Sequence, residues 1–367
     1  MQITVFALAV WQFSGILFSL MGAVNRRLVS SLSRLRPFWW WLFWFYCAWF
    51  TVVTVCGIWG QVRAHWPIAA SMAAGSYVAG ATPMGGGTIG FPILVLLFDQ
   101  PASLGRSFSF CIQSIGMSSA TVFLISSRAP IAWRMLIAAM ATSAVVIPLT
   151  LVYLVPLVQD LYIKLIFACL WAAFGVMTLA KVRDLTRAHH PGYASPGMDA
   201  LMGVLIGVLG GISTGLTGVG IDMVLYCVLV LMYRCEMRAA IGTSVIIMAF
   251  GSLVGVVSSS LMGRLTPEVF YNWAAAAPIV AIGAPLGALM MRIIPRGLTL
   301  VFVALLCVGQ FVWTLVEERP AIGIIAISVG AVIGANLLFM WMYFVGGGIV
   351  RRHHPRIAVQ THGHREG

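Results

Sequence analysis

Two glycine-rich breaks interrupt the hydrophobic sequence, and their residue types favour ligand chemistry. One is the run 80–88, GATPMGGGT, and the other is the run 210–220, GGISTGLTGVG. Glycine lacks a Cβ and lets a ligand approach the backbone, and a helix that restarts after such a break presents free N–H groups to an anion. Threonine and serine hydroxyls in both runs add further donors. The two runs therefore predict backbone sites for a small anionic substrate.

The candidate binding residues belong to these two runs and to the helices predicted to follow them. They are Thr82, Gly85, Gly86, Gly87, Thr88, Gln113, Thr214, Thr217, Gly218, Gly220, Thr243 and Ser244. Each has a structural alternative, because glycines also let helices pack closely and buried hydroxyls commonly bond to their own backbone.

A single acidic residue, Asp222, follows the second break inside an apolar run. A carboxylate in such a place is costly to ionise and is functional by default, so we expect it to act as a proton carrier. The alternatives are that it accepts hydrogen bonds from the neighbouring half-helix, pairs with an arginine, or binds a cation.

The composition excludes a water-soluble protein. Of 367 residues, 60% are hydrophobic and only 9% are charged, and the mean hydropathy is +0.98. The net charge of +12 comes from basic residues scattered between apolar runs, which is typical of a membrane protein and not of a nucleic-acid-binding one. The seven cysteines lack paired spacing, so we expect buried thiols rather than disulfides.

Catalysis is not expected from this sequence. A second carboxylate inside a span and an intramembrane histidine are both lacking, so aspartyl hydrolysis has no carboxylate pair and serine hydrolysis has no base. We predict no catalytic residue, no metal site and no cofactor.

The hydrophobic runs predict an all-α polytopic membrane protein, because about 20 apolar residues cross a bilayer as a helix. Nine runs read as full spans: 3–24, 37–60, 104–126, 135–158, 161–180, 239–262, 270–291, 297–316 and 320–346. Two longer segments, 67–98 and 199–232, contain the glycine breaks. Backbone broken at membrane depth must line protein or a cavity, so both segments are expected to be discontinuous helices.

An internal repeat relates the two halves. Shifting the chain by 135 positions superposes four pairs of glycines, including Gly85 on Gly220, and also Ser109 on Ser244. If both broken segments cross the membrane, 14 of the 22 Lys and Arg residues lie on one side and 8 on the other. If both segments turn back as hairpins to the side from which they entered, the two sides carry 17 and 5. The second division follows the positive-inside rule better and leaves three crossings per repeat, which predicts an inverted repeat.

The chain resembles the sulfite exporter TauE/SafE family, also called toluene sulfonate uptake permeases. The resemblance rests on the stretch 83–94, PMGGGTIGFPIL, and on 240–244, AIGTS, and covers about residues 67–316. The second half departs from the family's glycine run, with GVGIDMV at 218–224. The resemblance implies a secondary transporter of small organosulfur or sulfur oxyanions with a proton as coupling ion. A membrane scaffold without transport and an anion channel are the alternatives.

We predict six parts of the chain. They are two N-terminal helices (1–62), repeat 1 (63–180), a cytoplasmic linker (181–198), repeat 2 (199–316), an additional C-terminal helix (317–346) and a basic, histidine-rich cytoplasmic tail (347–367). The charge distribution favours a bacterial inner membrane protein with its N-terminus outside. The expected partners are the substrate anion, the proton, the lipid bilayer and a second copy of the chain in a homo-oligomer.

Overall fold

The computed structural model describes residues 35–82, 91–98, 100–186, 195–290 and 296–353, and every regular element among them is helical. The α-helices are α1 (Arg36–Val55), α2 (Trp59–Ala64), α3 (Trp66–Ala81), α4 (Ala102–Ser126), α5 (Trp133–Leu149), α6 (Asp160–Thr186), α7 (Pro196–Thr217), α8 (Ile221–Cys227), α9 (Met237–Leu261), α10 (Pro267–Met290), α11 (Arg296–Glu318) and α12 (Ile322–His353). Shorter π-helical turns cover Ile93–Leu97, Thr150–Leu154 and Val228–Met232, and a 3₁₀ turn covers Val155–Leu157.

Nine helical segments in the described ranges are long and apolar enough to cross a bilayer, which confirms the all-α polytopic class. Eight of them coincide with predicted spans, and the predicted span 3–24 lies outside the described residues. The ninth is Pro196–Thr217, for which we expected a shorter half-helix. Its 22 residues extend about 33 Å, because an α-helix rises 1.5 Å per residue.

The second broken segment folds back on itself after α7. The chain turns at residues 218–220, and the Ile221 N–H then donates to Thr214 Oγ1 at 3.0 Å. A Cβ on Gly210 would lie only 2.7 Å from the Ile221 Cα, so α8 starts beside the last two turns of α7. Farther along, Tyr233 interacts with Asp199, near the start of α7. Both ends of this hairpin therefore lie at one end of the bundle, here called the Ser195 end.

The first broken segment has its two ends at the opposite side. His65, which precedes α3, contacts Glu268 at the start of α10, and at the end of α3 Gly80 packs on Ala284. The described second part of this segment is the π-helical turn Ile93–Leu97, which precedes α4, and the first N–H of α4, that of Ala102, donates to Asp160 Oδ2 at 2.8 Å. We call this side of the bundle the Asp160 end.

The helices of the two halves pack in an exchanged pattern. Helix α3 of the first half packs on α10 of the second, while α7 of the second half packs on α5 of the first. Helices α4 and α9 pack on each other, as do α6 and α11. Together with hairpins that enter from opposite ends, this pattern supports an inverted repeat. The boundaries at 63–180 and 199–316 stay a prediction.

Small residues allow the hairpin helix α7 to approach α5 closely. A Cβ on Gly203 would lie 2.5 Å from the Met135 carbonyl oxygen, and one on Gly215 would lie 2.6 Å from the Thr150 Cβ. Two further glycines, Gly207 and Gly211, face α5 in between. The start of α7 contacts the start of α5, and the end of α7 contacts the residue that follows α5, so the two helices run parallel. Close backbone approach is the usual basis of helix packing in membranes.

The outer helices carry apolar surface suited to lipid. Helix α1 exposes Trp39, Trp40 and Trp44, and α12 exposes apolar side chains along most of its length. Four of the seven cysteines are buried and Cys169 is partly buried, but the expectation of buried thiols is wrong at Cys47, in α1, and at Cys56, just after it, because both are exposed. The prediction failed there because an apolar side chain on a membrane helix can face lipid as well as the protein core. No disulfide forms among the described cysteines.

Candidate functional site

The turn of the second hairpin is built around two glycines with positive φ. Helix α7 ends at Thr217, Gly218 has φ +86°, and Gly220 has φ +124°. A Cβ at Gly218 would lie 2.8 Å from the Arg106 carbonyl oxygen, and one at Gly220 would overlap the Ser213 hydroxyl. Both the backbone conformation and the available space therefore require glycine here. Two glycine breaks were predicted to bind the substrate, and this turn, in the second of them, is the one that the structure describes in full.

The backbone N–H groups of this turn are already bonded, which corrects the expectation that they stand free for an anion. The Gly218 N–H donates to the Thr214 carbonyl at 2.8 Å, and the Gly220 N–H donates to Asp222 Oδ1 at 3.0 Å. The Val219 N–H makes a longer contact, 3.4 Å, to Thr217 Oγ1. A buried unbonded N–H is costly, so a turn packed inside the bundle must satisfy these groups internally.

The hydroxyls at the turn are likewise directed at neighbouring backbone. Thr217 Oγ1 lies 2.9 Å from the Val219 carbonyl oxygen and 3.0 Å from that of Ser213. Ser213 Oγ lies 3.3 Å from the same Val219 oxygen. In this conformation the residues Thr214 and Thr217 therefore stabilise the turn, as the structural alternative proposed.

Helix α4 brings a polar face against the turn. Gln113 donates through Nε2 to the Gly218 carbonyl at 3.1 Å and to the Ser109 carbonyl at 2.9 Å. The Ser109 Cβ lies where a Cβ on Gly218 would collide. Gln113 Oε1 and Ser109 Oγ are buried and have no hydrogen-bond partner in the described part of the chain. Buried polar atoms without a partner are uncommon, and of these two only the Ser109 hydroxyl can donate a hydrogen bond.

Arg106 lies one turn earlier on the same face of α4 and was not among the candidate binding residues. Its side chain is only 4% exposed, and Nη1 donates to the Leu216 carbonyl at 3.2 Å. A basic residue in an apolar helix one turn before a candidate serine is the signal that could have identified it.

Asp222 is completely buried at the start of α8. Its Oδ1 accepts the Gly220 N–H, so one predicted alternative, a hydrogen-bonding role next to the half-helix, is present in the structure.

Two of the predicted residues on α9 lie elsewhere. Thr243 donates to the Ala239 carbonyl and accepts the Ala132 N–H at 3.0 Å, which fixes it near the Ser195 end. Ser244 is buried beside it along α9. The structure therefore does not bring either residue to the turn at 218–220.

The first break is described only up to its first hydroxyl. Thr82 is buried and donates to the Val78 carbonyl at 2.8 Å, as a residue ending a helix commonly does. The remaining candidates, Gly85, Gly86, Gly87 and Thr88, lie outside the described residues. Among the residues that the structure does describe, no group of three or more His, Cys, Asp or Glu side chains could hold a metal ion.

Comparison with known proteins assigns the chain to a family. The family model described as sulfite exporter TauE/SafE matches residues 67–312, which include both hairpins and helices α3 to α10. No curated protein and no solved structure matches the chain. The matched region is about two thirds of the sequence and contains every candidate site residue. The chain therefore belongs to the sulfite exporter TauE/SafE family.

Proposed function

We propose that the protein is a secondary transporter of small sulfur or organosulfur oxyanions, such as sulfite or sulfonates. The observation that carries this proposal is the pair of interrupted hairpins that start from opposite ends of the bundle, one of which turns at Gly218 and Gly220. Broken helices of two inverted repeats are the usual site of substrate binding in such transporters. Membership in the family supports the anionic substrate class.

In this proposal the anion binds at the hairpin turn against α4. Ser109 has a buried hydroxyl that can donate, and Gln113 holds the Gly218 carbonyl, so movement of the turn and binding at α4 are linked. The N–H groups now bonded to Thr214, Thr217 and Asp222 become available to an anion when the turn opens. The proposal gives those side chains a second role as internal substitutes for the substrate.

We assign proton coupling to Asp222. A charged acceptor makes a stronger hydrogen bond than a neutral one, so protonation of Asp222 weakens its hold on the Gly220 N–H. Proton uptake then loosens the turn that binds the anion. In this assignment the hydrogen bond between Asp222 and Gly220 couples the movement of the proton to the movement of the anion.

The proposed location is the bacterial inner membrane, with the Ser195 end in the cytoplasm. The Asp160 end carries the 5 basic residues Arg63, Arg106, Lys164, Arg264 and Arg319, and the other 17 are assigned to the opposite side. The positive-inside rule then places the N-terminus outside and the C-terminus inside.

Reconstitution into proteoliposomes tests the proposal. We expect saturable uptake of radiolabelled sulfite or methanesulfonate, and we expect Gln113→Leu to lower kcat/KM at least about tenfold, because a lost buried hydrogen bond is worth about 1 kcal/mol and the freed Gly218 carbonyl costs more. Gln310→Leu, on α11, is the matched control and should leave uptake unchanged. Absence of any flux would favour a membrane scaffold, and flux without saturation would favour a channel.

A further inference from the structure

Two arginines lie at the Asp160 end of the bundle, next to the tip of the second hairpin. Arg106 is buried on α4, and Arg264 follows α9 with its side chain partly buried. Neither takes part in the ion pairs seen in the described part of the chain, such as His65–Glu268 and Lys164–Glu318. Burying a charge without a partner is costly, so an unpaired buried arginine needs compensation from elsewhere.

Each arginine is held by one carbonyl that lacks a helical partner. Arg106 Nη1 donates to Leu216, whose carbonyl lies in the last turn of α7, where intrahelical donors run out. Arg264 Nη1 donates at 2.8 Å to Leu151, in the π-helical turn that ends α5. The donor that this turn would offer to Leu151 is residue 156, which is a proline and has no N–H.

These two carbonyls belong to neighbouring elements. Thr150, the residue before Leu151, packs directly on Gly215, the residue before Leu216. The Arg106 guanidinium is close enough to interact electrostatically with Arg264 and also with the carboxylate of Asp160. Asp160 is itself engaged by the Ala102 N–H. Two positive charges and one negative charge therefore meet at the hairpin tip, and one positive charge is left over.

The remaining donors suit an oxyanion. A guanidinium has five N–H groups in a planar fork, and one from each arginine is used by a carbonyl. The others match the oxygens of a sulfur oxyanion, which arginine binds better than lysine does because two parallel hydrogen bonds form at once.

We propose that Arg106 and Arg264 together bind the substrate anion at the tip of the second hairpin and select a doubly charged oxyanion, such as sulfite, over a singly charged sulfonate. The inference rests on the proposed transport function and adds the charge class of its substrate. Arg106 forms the buried contact, and Arg264 supplies the second positive charge.

Equilibrium binding by the purified full chain tests this selectivity without requiring transport. Radiolabelled sulfite is the probe, methanesulfonate is the competitor, and the buffer is alkaline enough to keep sulfite a dianion. We expect the native chain to prefer sulfite by about tenfold or more, because its second negative charge is attracted by the Arg264 guanidinium; tenfold corresponds to about 1.4 kcal/mol of interaction free energy. Arg264→Gln, which keeps a donor for Leu151, should reduce the preference to less than about threefold, and Arg264→Lys should retain most of it.

Arg106→Gln should weaken the binding of both anions, and Arg106→Lys should recover part of the affinity. Arg319→Gln is the matched control, because Arg319 is an exposed cation at the same end. Unchanged affinity and preference in both glutamine variants would overturn the inference. If Arg106→Gln does not fold, the Arg264 pair of variants decides it alone. Selective binding without flux would refute the transport proposal but not the site, and flux with no charge preference would refute the site alone.

Discussion

Replacing Gly220 with alanine is expected to lower transport at least about tenfold while leaving the helices in place. Alanine at φ +124° is strained, and its Cβ would overlap the Ser213 hydroxyl. Strain of this kind costs about 1–3 kcal/mol, which is enough to displace a three-residue turn but less than the stability of a typical domain. The measurement is initial uptake rate in proteoliposomes, with circular dichroism as the check on helix content.

Two further variants make this result specific. Gly309→Ala places the same methyl group on α11, where nothing lies within 4 Å, and should have no effect. Ser213→Ala combined with Gly220→Ala removes the hydroxyl but not the φ strain, so only part of the loss should be recovered. Normal uptake by Gly220→Ala would mean that the turn at 218–220 has no role in transport.

Replacing Asp222 with asparagine is expected to abolish the pH dependence of transport. Asparagine keeps an oxygen that can accept the Gly220 N–H, so the turn is preserved while the proton-binding group is removed. Uptake driven by a proton gradient should fall at least about tenfold, whereas exchange of labelled for unlabelled substrate, which needs no net proton movement, should continue. The measurement is uptake at several external pH values with and without an imposed gradient.

Asp199→Asn is the control for this variant. Asp199 is also a buried carboxylate of the second hairpin, but it lies near the opposite end, beside Tyr233. Its variant should keep the pH dependence of the native chain. Full gradient-driven uptake by Asp222→Asn would remove Asp222 from the coupling mechanism and leave it only the hydrogen bond to Gly220.

The sequence predicted the architecture well because bilayer thickness and hydropathy leave few choices. Apolar runs of about 20 residues became helices, and the glycine-rich run 210–220 contains a turn, although only at its end, at residues 218–220. The count of basic residues placed Arg63 and Lys164 on the side of the membrane opposite the linker. In the structure the helices that carry these two residues meet the Asp160 end of the bundle. Each of these predictions uses hydropathy or charge, which can be summed over consecutive residues without knowing how the helices pack.

The site was predicted less completely because its contacts depend on the relative depth of helices. Nothing in the spacing shows that α7 extends to Thr217 before turning, or that the turn occupies only 218–220. For the same reason Thr243 was named as a candidate binding residue although it accepts the Ala132 N–H near the Ser195 end, and Arg106 was not named although it is buried at the turn. Capping of the turn by Thr214 and Asp222 depends on rotamers that a sequence does not reveal.

The entry of the two hairpins from opposite sides of the membrane is the claim on which the transport account depends. It is tested by the side from which single cysteines react with an impermeant thiol reagent, in a chain whose seven native cysteines are replaced by alanine. We expect Ala64→Cys and Gln100→Cys, at the two ends of the first hairpin, to react from one side. Gly197→Cys and Arg238→Cys, at the two ends of the second, should react from the other. Reaction of either pair from opposite sides, or of all four from the same side, would contradict the account.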